Sequence, residues 1–177
     1  MATHRVQIML VAEDRQHECF TRRLLAARGY AMRAVRVRLA PRGRGSAEQH
    51  VRELFAREAA AFRSKSYQHY KALITITDAD NLTVEERRRT LEEQLNPGRG
   101  TDEPVIFVIP KRNIETWIHA LRGHDANETD KYPRLIFPSA CTQEARRMDQ
   151  WCRAGHHAML PSMRMACEEL KRMPRNK

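Results

Sequence analysis

Short apolar runs alternate with longer amphipathic stretches along this chain, and that alternation predicts its architecture. Residues 5–11 contain Val6, Ile8, Leu10 and Val11, a β-prone run followed by a polar turn at 12–15. Over 16–28, Phe20, Leu24 and Leu25 share one helical face, and Gly29 stops the helix. Residues 32–39 alternate Val35, Val37 and Leu39 with Arg36 and Arg38, as a half-exposed strand does. After a loop at 41–45, Ser46-x-x-Gln49 reads as a capping box that opens a helix bearing Val51, Leu54, Phe55, Ala59 and Phe62. A β-branched strand follows at 72–77, then a helix capped by Thr83-x-x-Glu86 and broken at Asn96-Pro97-Gly98. The most apolar strand is 105–109, and 113–121 reads as a helix. A polar loop at 123–138, interrupted by Leu135-Ile136-Phe137, leads to two terminal helices at 142–153 and 161–173.

The order β-α-β-α-β-α-β-α followed by helices predicts an α/β fold. Its centre is a mainly parallel four-stranded sheet with helices on both faces. The expected organisation is a sheet domain over 1–122, with the loop and C-terminal helices of 123–177 packed on it. A chain of 177 residues with 41% hydrophobic residues can bury such a core, which excludes a disordered polycation. No run of about 18 apolar residues occurs, and 6–11 is too short and mixed for a signal peptide, so a soluble cytosolic protein is expected. Cys19, Cys141, Cys152 and Cys167 include no Cys-x-x-Cys pair, which excludes the usual zinc spacing. They are expected to be reduced thiols.

Charge adds a partner. Lys and Arg total 32 against 22 Asp and Glu, a net +10, and 26 of the 32 are arginine. Guanidinium forks match phosphate oxygens, so nucleic acid is the expected partner, set against the plain alternative of arginine-rich codon usage. No helix joins a basic face to a bulky aromatic one, which argues against a membrane partner. Self-association stays open.

Against this basic background, acids gather where an open parallel sheet binds ligands, beyond the C-terminal strand ends. Glu13 and Asp14 follow the first strand, Asp78 and Asp80 the third, and Lys111, Arg112, Asn113 and Glu115 the fourth. On an extended strand end, Asp78 and Asp80 would point to one spot, and a divalent cation would offset their repulsion. An oxygen-only ligand set suits Mg²⁺ or Mn²⁺. Each acid also has a structural reading: Asp favours turns, while Glu13, Glu18 and Glu115 sit where a helix N-terminus favours negative charge.

At Val11-Ala12-Glu13 and Ile76-Thr77-Asp78-Ala79-Asp80-Asn81 the chain resembles the TOPRIM family, the metal-binding catalytic domain shared by primases, topoisomerases and OLD-type nucleases. The likeness is closer to small stand-alone OLD-type and RloB-like members. Those carry a second Glu and an aromatic after the first Glu, here Glu18 and Phe20, and an Asn-x-x-Glu-x-Trp-like segment. The segment that looks like it here is Arg112-Asn113-Ile114-Glu115-Thr116-Trp117, with one residue between Asn113 and Glu115. The resemblance covers about residues 5–121 and departs where Asp14 replaces the usual Gly and Leu82 a third Asp.

The resemblance implies a Rossmann-like TOPRIM fold and a Mg²⁺- or Mn²⁺-dependent nuclease. Glu13, Asp78, Asp80 and Lys111 would be its catalytic residues. Glu13, Glu18, Asp78, Asp80 and Glu115 would be the metal ligands. Lys111, Arg112, Arg42 and Arg44 would bind nucleic acid. It also implies a defence setting with an ATPase on a separate chain, since no Gly-x-x-x-x-Gly-Lys-Ser/Thr loop is present. The alternative is a non-catalytic nucleic-acid-binding or regulatory subunit. Three further features carry a favoured plain reading beside a functional one. Gly43-Arg44-Gly45 is read as an ordinary turn ahead of a phosphate-binding one, His119, one turn after Glu115, as a structural histidine ahead of a proton relay, and Trp117 as core ahead of a stacking platform. No Ser stands in a nucleophile elbow.

Overall fold

A computed structural model describes residues 6–41, 46–65 and 71–175. Four parallel strands, β1 (Ile8–Ala12), β2 (Val35–Leu39), β3 (Ala72–Ile76) and β4 (Val105–Val108), form one sheet in the order β2-β1-β3-β4. Ile8 lies opposite both Val35 and Ala72, and Leu73 opposite Val105. The helices are α1 (Arg15–Ala27), α2 (Ala47–Lys65), α3 (Val84–Glu92), α4 (Ile114–Leu121), α5 (Thr142–Ala154) and α6 (Pro161–Glu169). Among the described residues no helix is long and apolar enough to cross a membrane.

Strand alternation divides the core in two. Ile8, Leu10, Ile74, Ile76, Ile106 and Val108 face Phe20, Leu24, Trp117, Met148 and Met163 of α1, α4, α5 and α6. Met9, Val11, Leu73, Val105 and Phe107 face Val51, Phe55 and Leu91 of α2 and α3. Both faces are covered, so β1, β3 and β4 are buried throughout. Trp117 is core: it meets Phe20 edge-on and its indole N–H donates to Ser162 Oγ at 2.8 Å. The edge of β4 is blocked by α6, where Glu169 accepts the Phe107 N–H at 3.0 Å and pairs with Arg99 at 2.5 Å.

Several local expectations are corrected. Residues 32–34 form a 3-10 turn before β2 rather than part of the strand. The last helix gives way to a 3-10 turn at Leu170–Arg172. Thr83 and Glu86 make a full capping box. At α2 only half of one forms: Ser46 Oγ accepts the Gln49 N–H at 3.1 Å, while the Gln49 side chain turns to Glu53. Cys152 and Cys167 form a disulfide joining α5 to α6, in place of the expected free thiols; Cys19 and Cys141 are free. The spacing rules had no means to see that pairing, because the two helices meet only through tertiary packing.

The topology positions the site. From β1 the chain steps to β2 on one side and then crosses to β3 on the other. The crevice between the C-terminal ends of β1 and β3 is therefore the switch point where α/β sheets bind ligands.

Candidate metal centre

Glu13 is the first residue past β1. Its N–H donates to Ile76 O at 3.2 Å, which extends the β1–β3 ladder by one step. Its Oε2 accepts Thr77 Oγ1–H at 2.7 Å and the Asp78 N–H at 3.0 Å. Those bonds tie the two strand ends together and hold Glu13 beside Asp78.

Asp14 starts α1. Its Oδ1 accepts the N–H groups of Gln16 and His17 at 2.8 and 3.1 Å, as an N-cap does. The same oxygen lies 2.7 Å from His17 Nδ1, and His17 Nε2 lies 2.9 Å from Asp78 Oδ1. The His17 ring, 1% exposed, is thus fixed at both nitrogens. Ligand atoms of Glu13, His17 and Asp78 all lie within 4.8 Å of one another, a group that could hold a metal ion.

The charges are strongly coupled. Burial pushes the Asp78 carboxyl up to about 6, against the pull of His17, and the charges of Glu13 and Asp80 add to the rise. Burial also opposes charge on His17, but Asp78 and Asp14 outweigh it and raise the ring well above 6.5. Burial would raise Asp14 too, yet its bond to His17 and the charge there hold it well below the usual carboxylate range. Glu115 is 5% exposed and raised by burial and by the charges of Asp78 and Asp14.

A pH dependence of stability follows. His17 has a raised folded pKa, so its contribution is complete below 6.5 and is lost as pH climbs through the folded value. Asp14 has a lowered one, so its contribution is complete above 3.8 and is lost as pH falls through the folded value. In metal-free thermal melts, the stability gap between wild type and His17→Gln is expected to be widest in mild acid and to narrow steadily above pH 6.5. A gap that widens toward alkaline pH would refute a charged His17.

Glu115 and Asp80 both lie close enough for their charges to couple with Asp78, but neither they nor Glu18 belong to the three-residue ligand group. β3 ends at Ile76, and Leu82 N–H donates to Ala79 O at 3.0 Å to close a turn in which Asp80 adopts φ 54°. The extended alternation that would aim Asp78 and Asp80 at one spot is therefore broken, and Asp80 pairs with Lys131 at 3.3 Å. Glu18 turns to Arg15 at 2.6 Å. Lys111 donates to Leu82 O at 2.6 Å and so holds the turn, and Arg112 donates to Asn81 Oδ1. Arg42 and Arg44, with the Gly43-Arg44-Gly45 turn, lie outside the described residues.

Two positions at the candidate site escaped sequence reasoning. His17 stands at the third position of α1, where the side chain reaches back toward the cap; Asp14-x-x-His17 is a capping-box spacing with His in place of Glu. Arg87, 6% exposed, donates to Asp78 O at 3.1 Å and pairs with Glu48 at 2.9 Å, bracing the Asp78 backbone from below. No local pattern marks it, because its partners come from β3 and α2. His119 stacks on Tyr132 at 4.4 Å between ring centroids.

Comparison with protein families, with curated proteins and with solved structures found no match for this chain.

Proposed function

We propose that this protein is a divalent-metal-dependent nuclease of TOPRIM type, hydrolysing phosphodiester bonds in DNA or RNA. The observation that carries the reading is the convergence of Glu13, His17 and Asp78 at the β1/β3 switch point of a basic protein. The donor set fits an ion. Two carboxylates lie within 4.8 Å of each other, one of them desolvated, with a single histidine to offset them.

Glu13 and Asp78 would hold Mg²⁺ or Mn²⁺. An ion bound there supplies Lewis-acid activation of water and neutralises charge on the phosphate. Glu115, buried beside the cluster, is suited to carry a proton to or from the reacting oxygens. Asp80 holds the loop cation Lys131, and Asp14 holds Arg134 at 3.6 Å. Both cations are exposed, so substrate phosphate can draw them from these carboxylates at the moment of binding. Arg87 and Lys111 keep the turn that carries Asp78 and Asp80 in place. The resemblance extends the proposal to an effector in antiviral defence working with a separate ATPase.

One observation favours a second reading, a non-catalytic nucleic-acid-binding subunit. The 123–138 loop borders a groove of 460 Å³ lined by His119, Arg122, Tyr132 and Arg134, and leaves Ile136 89% and Phe137 69% exposed beside it. Exposed apolar and aromatic side chains next to arginines suit a nucleic-acid strand whether or not it is cut.

The test is a panel of plasmid, single-stranded DNA and tRNA with Mn²⁺ or Mg²⁺, with and without chelator and with the ATPase of any neighbouring gene. Metal-dependent cleavage of at least one substrate is expected. Salt-sensitive binding that ignores chelator, with no cleavage in any arm, would establish the second reading instead.

A further inference from the structure

We propose that His17 is a direct ligand of this metal centre, that Asp14 is its positioning residue, and that the site therefore prefers a first-row transition ion such as Mn²⁺ over Mg²⁺. The inference rests on the metal-centre reading above and narrows it.

The geometry makes His17 part of the ligand group rather than a neighbour of it. Its Nε2 faces Asp78 Oδ1 at 2.9 Å, and a ring nitrogen of His17 lies with an oxygen each of Glu13 and Asp78 inside one 4.8 Å cluster. The ring is fully packed, so Nε2 is aimed at the cluster before any ion arrives. An ion between Glu13, His17 and Asp78 would take the Nε2 lone pair, releasing the Nε2 proton to solvent and replacing the hydrogen bond to Asp78, while the Nδ1 bond stays in place.

That other bond is the one to Asp14, at 2.7 Å from Nδ1. A carboxylate that holds the far nitrogen of a metal-bound histidine fixes the ring's tautomer and strengthens its donor nitrogen. Asp14 is well placed for this task, because two backbone N–H groups of α1 hold the same oxygen in position. The residue that departs from the TOPRIM-like pattern thus has a use, since a Gly there would leave Nδ1 without this partner.

The ligand chemistry follows. Mg²⁺ takes oxygen donors and seldom gives up its water for an imidazole. One imidazole with two carboxylates suits Mn²⁺ and later first-row ions, whose affinity for nitrogen donors rises along the series. Without an ion, His17 acts as the cluster's own counter-charge between Asp14 and Asp78.

The experiment is calorimetric titration of the full chain with MnCl₂ and, separately, MgCl₂, together with pulsed EPR of the Mn²⁺-loaded protein. Mn²⁺ is expected to bind at least tenfold more tightly than Mg²⁺, and the spectrum to show coupling to an imidazole nitrogen that His17→Gln abolishes. Asp14→Asn keeps a good helix cap, so the fold survives. It is expected to weaken Mn²⁺ binding by roughly 10–100-fold. Mn²⁺ bound without nitrogen coupling, equal affinity for the two ions, or unchanged affinity in Asp14→Asn would overturn the inference while leaving an oxygen-ligated centre standing. Failure of both ions to bind would overturn the metal centre itself and the inference with it.

Discussion

Asp78→Asn is expected to abolish metal-supported cleavage, lowering the rate on the order of 10³-fold, the scale on which removing one key electrostatic group acts in an active site. Asp78 is the hub of the cluster. It touches His17, its backbone N–H is held by Glu13, and its backbone carbonyl is held by Arg87. Asn keeps an oxygen that can accept from His17 Nε2–H, while removing a charge that burial disfavours. The melting temperature is therefore expected to stay within a few degrees of wild type. Loss of activity with the fold intact separates a metal ligand from a structural carboxylate. Cleavage that persists in Asp78→Asn would remove Asp78 from the mechanism.

Arg87→Met is expected to produce the largest loss of stability. The guanidinium is 7% exposed, pairs with Glu48, and donates to the carbonyl oxygen of Asp78. Methionine keeps much of the stem's packing but leaves the buried Asp78 carbonyl without its donor and the part-exposed Glu48 with Arg52 alone, at 3.8 Å. Leaving a buried acceptor unpaired costs about 1–3 kcal/mol. For a chain of this size that is a fall on the order of 5 °C in melting temperature. Activity should fall at temperatures where the variant is still folded, because the Asp78–Asp80 turn loses its brace. Arg87→Lys is expected to rescue little, since one ammonium cannot span Glu48 and Asp78 O as the fork does. A melting temperature within two or three degrees of wild type would show that other contacts hold the turn.

The strands, their helices and their parallel order were legible because period-2 and period-3.6 patterns are local, and alternation of the two constrains topology. The rim that carries the site was legible for the same reason: parallel strands place all their C-terminal ends together. The detail within that rim was not. Asp78 and Asp80 share a face only on extended backbone, and the left-handed turn at Asp80 is set by Lys111 reaching back from beyond β4. Glu18 reads as a ligand until Arg15 claims it. His17 was hidden by its neighbours, because a histidine in a helix's first turn carries no signal until β3 brings Asp78 to it. The Cys152–Cys167 bond and the Arg87 brace likewise depend on contacts between distant segments.

The central claim is that the Glu13, His17 and Asp78 cluster holds a divalent ion and that this ion is needed to cut phosphodiester bonds. The most direct measurement follows cleavage of an end-labelled polynucleotide by the purified protein, first with Mn²⁺, then after chelation, then after Mn²⁺ is restored. Cleavage that stops on chelation and returns on restoration in wild type, but never appears in Asp78→Asn, is the expected result. Cleavage that continues through chelation, or that is equal in wild type and Asp78→Asn, would contradict it.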